Sequence, residues 1–255
     1  MLYHREYGNP ENETILFLHG GGLSGSMWED VVSHLDDFHC VVPDLPEHGK
    51  SAKVRPLTTG NCVEQLEALL KNFEKVHIVG LSLGGAIALS MLISKPERIK
   101  SVIISGTAAG ISKTTAALLN SLVAPIYGML SEERIAKSMM KGFRIPEQYK
   151  QSLMEDAKCM NTGMVRGMHT MLSEIKMPRA NDKPLLILVG EQENRVAKKA
   201  MNRLLMEVPL SKGAIVPEVG HVWSYEVPHL FAEVVRQWVS DSHVHPSLIE
   251  TQNRP

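Results

Sequence analysis

Short continuous runs of apolar residues alternate along the chain with longer segments whose apolar positions recur every three or four residues. Runs of this kind are typical of buried strands, and the spacing between them is typical of amphipathic helices. The predicted strands are Leu2–Tyr7 at an edge, Thr14–Leu18, Phe38–Val42, Val76–Val79, Ile99–Ile104, Pro184–Gly190 and Ala214–Pro217. The predicted helices between them are Met27–Leu35, Val63–Phe73, Val196–Met206 and Glu226–Val239. Strands and helices that alternate in this way predict an α/β fold with a doubly wound, mostly parallel sheet.

The alternation breaks between residues 108 and 177, where no strand pattern is convincing. Helical spacing is found there at Ala116–Val123, Glu132–Lys141, Glu147–Cys159 and Met164–Leu172. We therefore expect a core formed by residues 1–107 and 178–241, with a helical cap, or lid, of residues 108–177 inserted into it. Residues 242–255 are polar and contain Pro246 and Pro255, so we expect a tail without regular structure.

The cap segment is rich in methionine and holds nine of the chain's 14 methionines. Met164, Met168 and Met171 fall on one face of a predicted helix. Packing onto the domain below is the simpler interpretation of this face. The alternative is that some of these flexible thioethers line an adaptable apolar pocket.

Composition narrows the functional classes. Hydrophobic residues make up 44% and charged residues 22% of the 255-residue chain, as in globular proteins. Lys and Arg number 27 against 28 Asp and Glu, which predicts no binding to nucleic acid or to an anionic membrane. Cys40, Cys62 and Cys159 have neither disulfide nor zinc spacing. We expect a cytoplasmic monomer or homodimer that needs no metal or cofactor and acts on a small molecule.

The residues Val76 to Ala88 carry the strongest chemical signal. A β-branched run is followed by Gly80-Leu81-Ser82-Leu83-Gly84 and then by a helix of small residues. This is the G-x-S-x-G nucleophile elbow, in which the serine lies at the apex of a strained turn between strand and helix. A side chain at Gly80 or Gly84 would collide with neighbouring backbone. The context of strand and helix favours a nucleophile over a simple glycine-serine turn.

Two further loops follow predicted strands. His19-Gly20-Gly21-Gly22 supplies bare backbone N–H groups suited to the second half of an oxyanion hole, although a flexible turn is the alternative. Gly49-Lys50-Ser51 ends a later loop, but Asp44 stands where a phosphate-binding loop needs glycine. A nucleotide site is therefore not expected.

A serine nucleophile needs a general base and a carboxylate that orients the base. In open α/β sheets these groups lie just after the carboxyl ends of strands. Ser82, Glu193 and His221 all do, in the chain order typical of elbow hydrolases. His221 is the predicted base and Glu193 the predicted acid, with Glu191 as the alternative acid.

Taken together, these motifs resemble the α/β-hydrolase superfamily, and within it the lid-bearing group of carboxylesterases, lactonases, cofactor-free haloperoxidases and the menaquinone-pathway lyase. The resemblance extends from Leu2 to Val239. It rests on the His19-Gly20 pair, on residues 44–51, on the elbow and on Gly220-His221. The chain departs from the family by having Glu193 where aspartate is usual and Glu47 where glycine is usual.

The resemblance also implies roles for residues around the elbow. The N–H groups of Gly21 and Leu83 would form the oxyanion hole, with Gly22 as an alternative to Gly21. Trp28 and Trp223 would wall the substrate pocket, unless they are core residues. The resulting hypothesis is a serine hydrolase that cleaves a small carboxylic ester or lactone through an acyl-enzyme on Ser82. The alternatives are a Ser–His lyase that acts by proton abstraction and a catalytically weak ligand-binding protein.

Overall fold

The computed structural model of the protein describes residues 1–251. Its strands are β1 (His4–Tyr7), β2 (Thr14–Leu18), β3 (His39–Pro43), β4 (Val76–Leu81), β5 (Ile99–Ser105), β6 (Leu185–Gly190), β7 (Ser211–Val216) and β8 (Ile249–Thr251). Its helices are α1 (Glu29–Val32), α2 (Thr59–Leu69), α3 (Leu83–Ser94), α4 (Lys113–Leu122), α5 (Ala124–Tyr127), α6 (Glu132–Phe143), α7 (Lys150–Ala157), α8 (Thr162–Ser173), α9 (Arg195–Glu207), α10 (Trp223–Glu226) and α11 (Pro228–Asp241).

Within residues 1–251 the eight strands form one sheet in the order β1-β3-β2-β4-β5-β6-β7-β8. The strands from β3 to β7 in this order run parallel, and β1 and β8 pair antiparallel at the two edges. Every residue of β2, β3, β4 and β6 is buried. Strands covered on both faces need apolar residues on both, which is why they appear in the sequence as continuous runs. The predicted doubly wound α/β fold is confirmed.

The end of the chain differs from the expectation. Ile249–Thr251 pairs antiparallel with β7, with Ile215 opposite Ile249 and Gly213 opposite Thr251. The prediction of a tail without regular structure is therefore wrong for residues 249–251, while residues 252–255 of that tail lie outside the described residues. An edge strand this short gains backbone hydrogen bonds without burying an apolar face, so it leaves no hydrophobic pattern.

Capping residues explain why several helices begin earlier than their apolar pattern. The side chain of Ser112 accepts a hydrogen bond from the Thr115 N–H, so α4 begins at Lys113 and not at Ala116. Asn194 caps α9 in the same way, through the N–H groups of Val196 and Ala197. Helices α4 to α8 all lie between β5 and β6 in the chain, where the strand pattern is interrupted.

Four loops leave the carboxyl ends of parallel strands at the same edge of the sheet. His19 follows β2, Ser82 follows β4, Glu193 lies three residues beyond the end of β6, and His221 follows β7. Parallel strands deliver their carboxyl ends to one side, so these residues converge although they are distant in sequence. Among the helices of residues 1–251, none combines the length and the apolar character needed to cross a bilayer.

Candidate active site

The backbone at Ser82 is strained in the way an elbow requires. Ser82 has φ 52° and ψ −108°, a conformation that residues with a side chain rarely adopt. A Cβ on Gly80 would lie 2.6 Å from the Gly84 carbonyl carbon, and a Cβ on Gly84 would lie 2.2 Å from the Leu18 carbonyl oxygen. Both separations are far inside van der Waals contact, so both positions require glycine.

Two backbone N–H groups, those of Gly21 and Leu83, belong to segments next to the serine. Ser82 donates its own N–H to the Ser105 carbonyl at 2.8 Å, which ties the elbow to β5. Leu83 is the first residue of α3, so its N–H has no acceptor within the helix. A Cβ on Gly21 would lie 3.7 Å from the Leu83 Cβ, which places the backbone of Gly21 against the start of α3. The Gly21 and Leu83 N–H groups therefore belong to adjacent segments beside Ser82.

Gly22 is held differently. Its N–H donates to Nε2 of His48 at 3.1 Å, and His48 donates from Nδ1 to the Pro46 carbonyl at 2.8 Å. Burial, reinforced by the neighbouring His19, lowers the pKa of His48 to about 3, so the ring stays neutral and can accept. Because its N–H is already donated to His48, Gly22 is not free to act as the alternative oxyanion donor, while its contact with substrate stays a prediction.

His221 and Glu193 are hydrogen-bonded to each other. The distance between His221 Nδ1 and Glu193 Oε2 is 2.7 Å, and Glu193 Oε1 accepts the Gly190 N–H at 3.0 Å. The Glu193 side chain is only 5% exposed and that of His221 23% exposed. Glu191 points elsewhere and accepts the Glu218 N–H at 2.9 Å. Of the two candidate acids, the structure therefore brings Glu193, and not Glu191, to the histidine.

Gly106 is a site residue that the sequence did not single out. It follows β5 with φ 59°, and a Cβ there would lie 2.6 Å from both Nδ1 and Cε1 of His221. The absence of a side chain thus leaves the space that the imidazole occupies beside Glu193. The sequence signal that could have identified Gly106 was its position directly after β5, the strand that pairs with the elbow strand β4.

A cleft of about 650 Å³ opens onto these groups. Ser82, Gly106, Glu193 and His221 all line it, together with residues of the α4–α8 segment and of α9. The ring of Phe143, from the end of α6, lies 5.3 Å from the His221 ring. The hydrogen bonds of residues 1–251 do not include one between Ser82 Oγ and His221, although both face this cleft.

Trp28 and Trp223 do not wall the cleft. Both are completely buried. Trp28 packs against Phe17 and Phe231 at ring distances of 5.3 and 5.1 Å. Trp223 stacks on Phe231 at 4.1 Å and donates its Nε1–H to Ser105 Oγ at 2.8 Å. The prediction that they contact substrate is wrong, because both indoles are fully enclosed in an aromatic cluster. The Nε1–H of Trp223 is satisfied there, whereas that of Trp28 has no hydrogen-bond partner among residues 1–251.

The methionines of α8 divide between two environments. Met164 and Met171 are buried in the hydrophobic core, as the simpler interpretation of this face predicts. Met168 lies over the glycine loop instead, since its sulfur is 2.5 Å from the place where a Cβ on Gly21 would be. The glycine at position 21 thus makes room for a side chain of the α4–α8 segment.

Glu47, where the family usually has glycine, adopts a left-handed conformation with φ 63°. Its Oε1 accepts the Leu57 N–H at 3.0 Å, a contact that glycine could not make. This hydrogen bond helps to hold a turn that is otherwise costly for a residue with a side chain. Elsewhere in residues 1–251, His, Cys, Asp and Glu side chains form no group of three placed to hold a metal ion.

Comparison with known proteins identifies the family. Residues 15–234 match the alpha/beta hydrolase family. The chain belongs to this family. It is 26% identical over 244 residues to an AB hydrolase superfamily protein of Gibberella zeae, covering 91% of this chain and 81% of that protein.

One other relative and one solved structure carry names that mention esters. A pimeloyl-(acyl-carrier protein) methyl ester esterase of Aeromonas hydrophila is 25% identical over 244 residues, covering 88% of this hydrolase and 94% of the esterase. A thermophilic esterase from Thermogutta terrifontis, solved with malate bound, has a TM-score of 0.80 at 23% identity and covers 95% of this chain and 94% of its own. The similarity to the solved esterase shows the fold.

Proposed function

We propose that this hydrolase cleaves a small carboxylic ester or lactone through an acyl-enzyme on Ser82. The observation that carries the proposal is the 2.7 Å bond between His221 Nδ1 and Glu193 Oε2 at the edge of a cleft that Ser82 also lines. A carboxylate on Nδ1 favours the tautomer whose Nε2 accepts a proton. This is the state that a general base for a serine hydroxyl requires.

In the proposed mechanism, Ser82 Oγ attacks the substrate carbonyl carbon and its proton passes to His221 Nε2. Glu193 stabilises the imidazolium, while the N–H groups of Gly21 and Leu83 donate to the developing oxyanion. His221 then returns the proton to the leaving alcohol oxygen as the carbon–oxygen bond breaks. Water, deprotonated by His221, attacks the acyl-enzyme and releases the acid and Ser82. In a lactone the alcohol and the acid stay joined, so the product is a hydroxy acid.

The relatives support the reaction class. The Aeromonas hydrophila relative is named as an ester hydrolase, and its similarity extends over most of both chains. We further propose that the α4–α8 segment, whose end contributes Phe143 beside His221, acts as the cap that selects the substrate. The position of Met168 over Gly21 is consistent with that role.

A fluorophosphonate probe tests the nucleophile. Wild-type protein is expected to be labelled and to hydrolyse p-nitrophenyl esters with a burst of one acyl group per active site. Ser82→Ala should lose both labelling and the burst. Ser94→Ala, which changes an exposed serine at the end of α3, is the matched control and should keep both. Equal labelling of the Ser82→Ala protein would refute the assignment, and labelling without turnover of any ester or lactone would favour a Ser–His lyase or a ligand-binding protein.

A further inference from the structure

One face of α9 forms a wall of the cleft. Val196, Lys199, Ala200 and Arg203 all line it, and their spacing of three, four and seven residues places them on one side of the helix. Lys198 lies on a different side, where its Nζ donates to the Glu191 carbonyl at 2.7 Å. With Ala197, which also lines the cleft, the wall combines three small apolar side chains with two cationic ones.

The cations of this wall are incompletely neutralised. Arg203 donates from Nη1 to the Ala109 carbonyl at 3.1 Å and pairs through Nε with Glu207 at 2.8 Å. Glu207 also pairs with Arg179 at 2.8 Å, so a single carboxylate is shared by two guanidinium groups. Lys199 is exposed and forms no ion pair with a carboxylate among residues 1–251. A cation without a partner is available to a ligand.

The end of α6 adds a third cation to the cleft. Arg144 ends α6 in a left-handed conformation with φ 58° and lines the cleft. Its Nε lies 3.4 Å from Glu226 Oε2, while the other oxygen of Glu226 accepts the Gly220 N–H at 2.7 Å. Glu193 is the one carboxylate that lines the cleft within residues 1–251, and both of its oxygens already accept hydrogen bonds. Apart from Glu193, the Asp, Glu, Lys and Arg side chains that line the cleft within residues 1–251 are thus all cationic.

We infer that this cleft binds an ester or lactone that carries a negative charge, and that Lys199 and Arg203 recognise it. The inference rests on the proposed function and names its substrate class. Helix α9 begins at Arg195, directly after Glu193 and Asn194. At 1.5 Å per residue, the backbones of Lys199 and Arg203 lie about 8 and about 14 Å along the axis from Asn194. Because Asn194 adjoins the proposed triad acid Glu193, we expect the negative charge to be joined to the scissile carbonyl through a short spacer, as in the half-ester of a short dicarboxylic acid.

Paired substrates test the charge preference and locate the charge. Comparing p-nitrophenyl hydrogen glutarate with p-nitrophenyl valerate tests a negative charge in the acyl half of the ester. Comparing 4-acetoxybenzoate with methyl 4-acetoxybenzoate tests a negative charge in the alcohol half. We expect kcat/KM, normalised to the alkaline hydrolysis rate of each ester, to be about tenfold higher for the anion in one pair. The preference should weaken in 1 M NaCl, since salt screens exposed charges.

Variants of α9 assign the preference to residues. Lys199→Gln and Arg203→Gln should each reduce the ratio of anionic to neutral kcat/KM by about fivefold. Lys198→Gln removes the same charge from the same helix outside the cleft and should leave the ratio unchanged. Because Lys199 is exposed and unpaired within the described residues, its replacement is expected to leave the fold intact.

Calorimetric titration with glutarate separates the possible failures. If neutral esters are hydrolysed through Ser82 but neither pair shows a preference for the anion, the inference is overturned and the proposed function stands. A second outcome is that no ester is turned over, but the wild type and the Lys198→Gln variant both bind glutarate more tightly than the Lys199→Gln variant does. In that case the anion site stands and the proposed function fails. A preference that survives both Lys199→Gln and Arg203→Gln would overturn the assignment to α9.

Discussion

The substitution Glu193→Gln tests the hydrogen bond on which the proposed mechanism depends. Both oxygens of Glu193 act as acceptors, one from His221 Nδ1 and the other from the Gly190 N–H. Glutamine has a single acceptor oxygen and a donor NH₂ group. If the oxygen faces His221, the NH₂ group opposes the Gly190 N–H, and this leaves two donors facing each other. If the oxygen faces Gly190, the NH₂ group donates to Nδ1, and Nε2 then carries the proton.

In the second orientation His221 cannot accept the proton of Ser82, because its base nitrogen is already protonated. The equivalent change from carboxylate to amide in a serine protease lowers kcat about 10⁴-fold through this wrong tautomer. At about 1.36 kcal/mol per factor of ten, that loss corresponds to about 5.4 kcal/mol of transition-state stabilisation. The first orientation keeps the tautomer but leaves a donor unpaired, at a cost of about 1–3 kcal/mol in folding stability. A large loss of kcat with a small change in unfolding free energy therefore identifies the second orientation.

The assay is steady-state hydrolysis of a p-nitrophenyl ester, with urea unfolding of the same preparations. Glu191→Gln is the matched control, because Glu191 is exposed and accepts from the Glu218 N–H on the outer side of the same loop. We expect it to retain kcat within about threefold, since it does not touch His221. If Glu193→Gln kept more than a tenth of wild-type kcat with no loss of unfolding free energy, or if Glu191→Gln lost as much kcat as Glu193→Gln, the role given to Glu193 would be refuted.

Two further predictions concern buried titratable groups. Burial and the nearby Asp44 carboxylate raise the pKa of Asp156 to about 7. Between about pH 4 and about pH 7 the native state therefore keeps a proton that the unfolded chain releases. The free energy of unfolding falls as pH rises through this window. The gain in unfolding free energy from Asp156→Asn, measured by urea unfolding, should thus grow by up to about 3 kcal/mol between pH 5 and pH 7.5. A gain that does not change with pH would contradict this prediction. His48→Leu leaves the Gly22 N–H without its acceptor and should lower the unfolding free energy at pH 7 by about 1–3 kcal/mol; an unchanged urea midpoint would show that this hydrogen bond does not matter.

Steric and topological features of the site could be predicted from the sequence. The glycines at positions 80 and 84 are there because a methyl group would overlap the backbone, and that requirement is local. Glu193 could be chosen by its position after β6, since parallel strands bring their carboxyl ends together. The pairing of Glu193 with His221, across 28 residues of sequence, follows from the same topology.

Features that depend on three-dimensional packing could not be predicted. An indole in a loop at the right edge of the sheet has the same sequence signature whether it faces a substrate or, like Trp223, stacks on Phe231 and donates to Ser105. The direction of the Gly22 N–H depends on His48, which is 26 residues away and belongs to another loop. In both cases the hydrogen-bond partner comes from a different segment and carries no periodic pattern.

Burial separates the histidines that share this edge of the sheet. His19 and His48 are completely enclosed, and desolvation lowers the pKa of His19 to about 4 and that of His48 to about 3. Each uses both ring nitrogens, with Nε2 accepting from the backbone N–H of Leu45 or Gly22. These two rings therefore act as fixed neutral acceptors that shape the glycine loop. His221 has one nitrogen committed to Glu193, and its side chain is 23% exposed beside the cleft. Of the three, it is thus the histidine with a ring nitrogen left uncommitted beside the cleft, as the general-base role proposed for it requires.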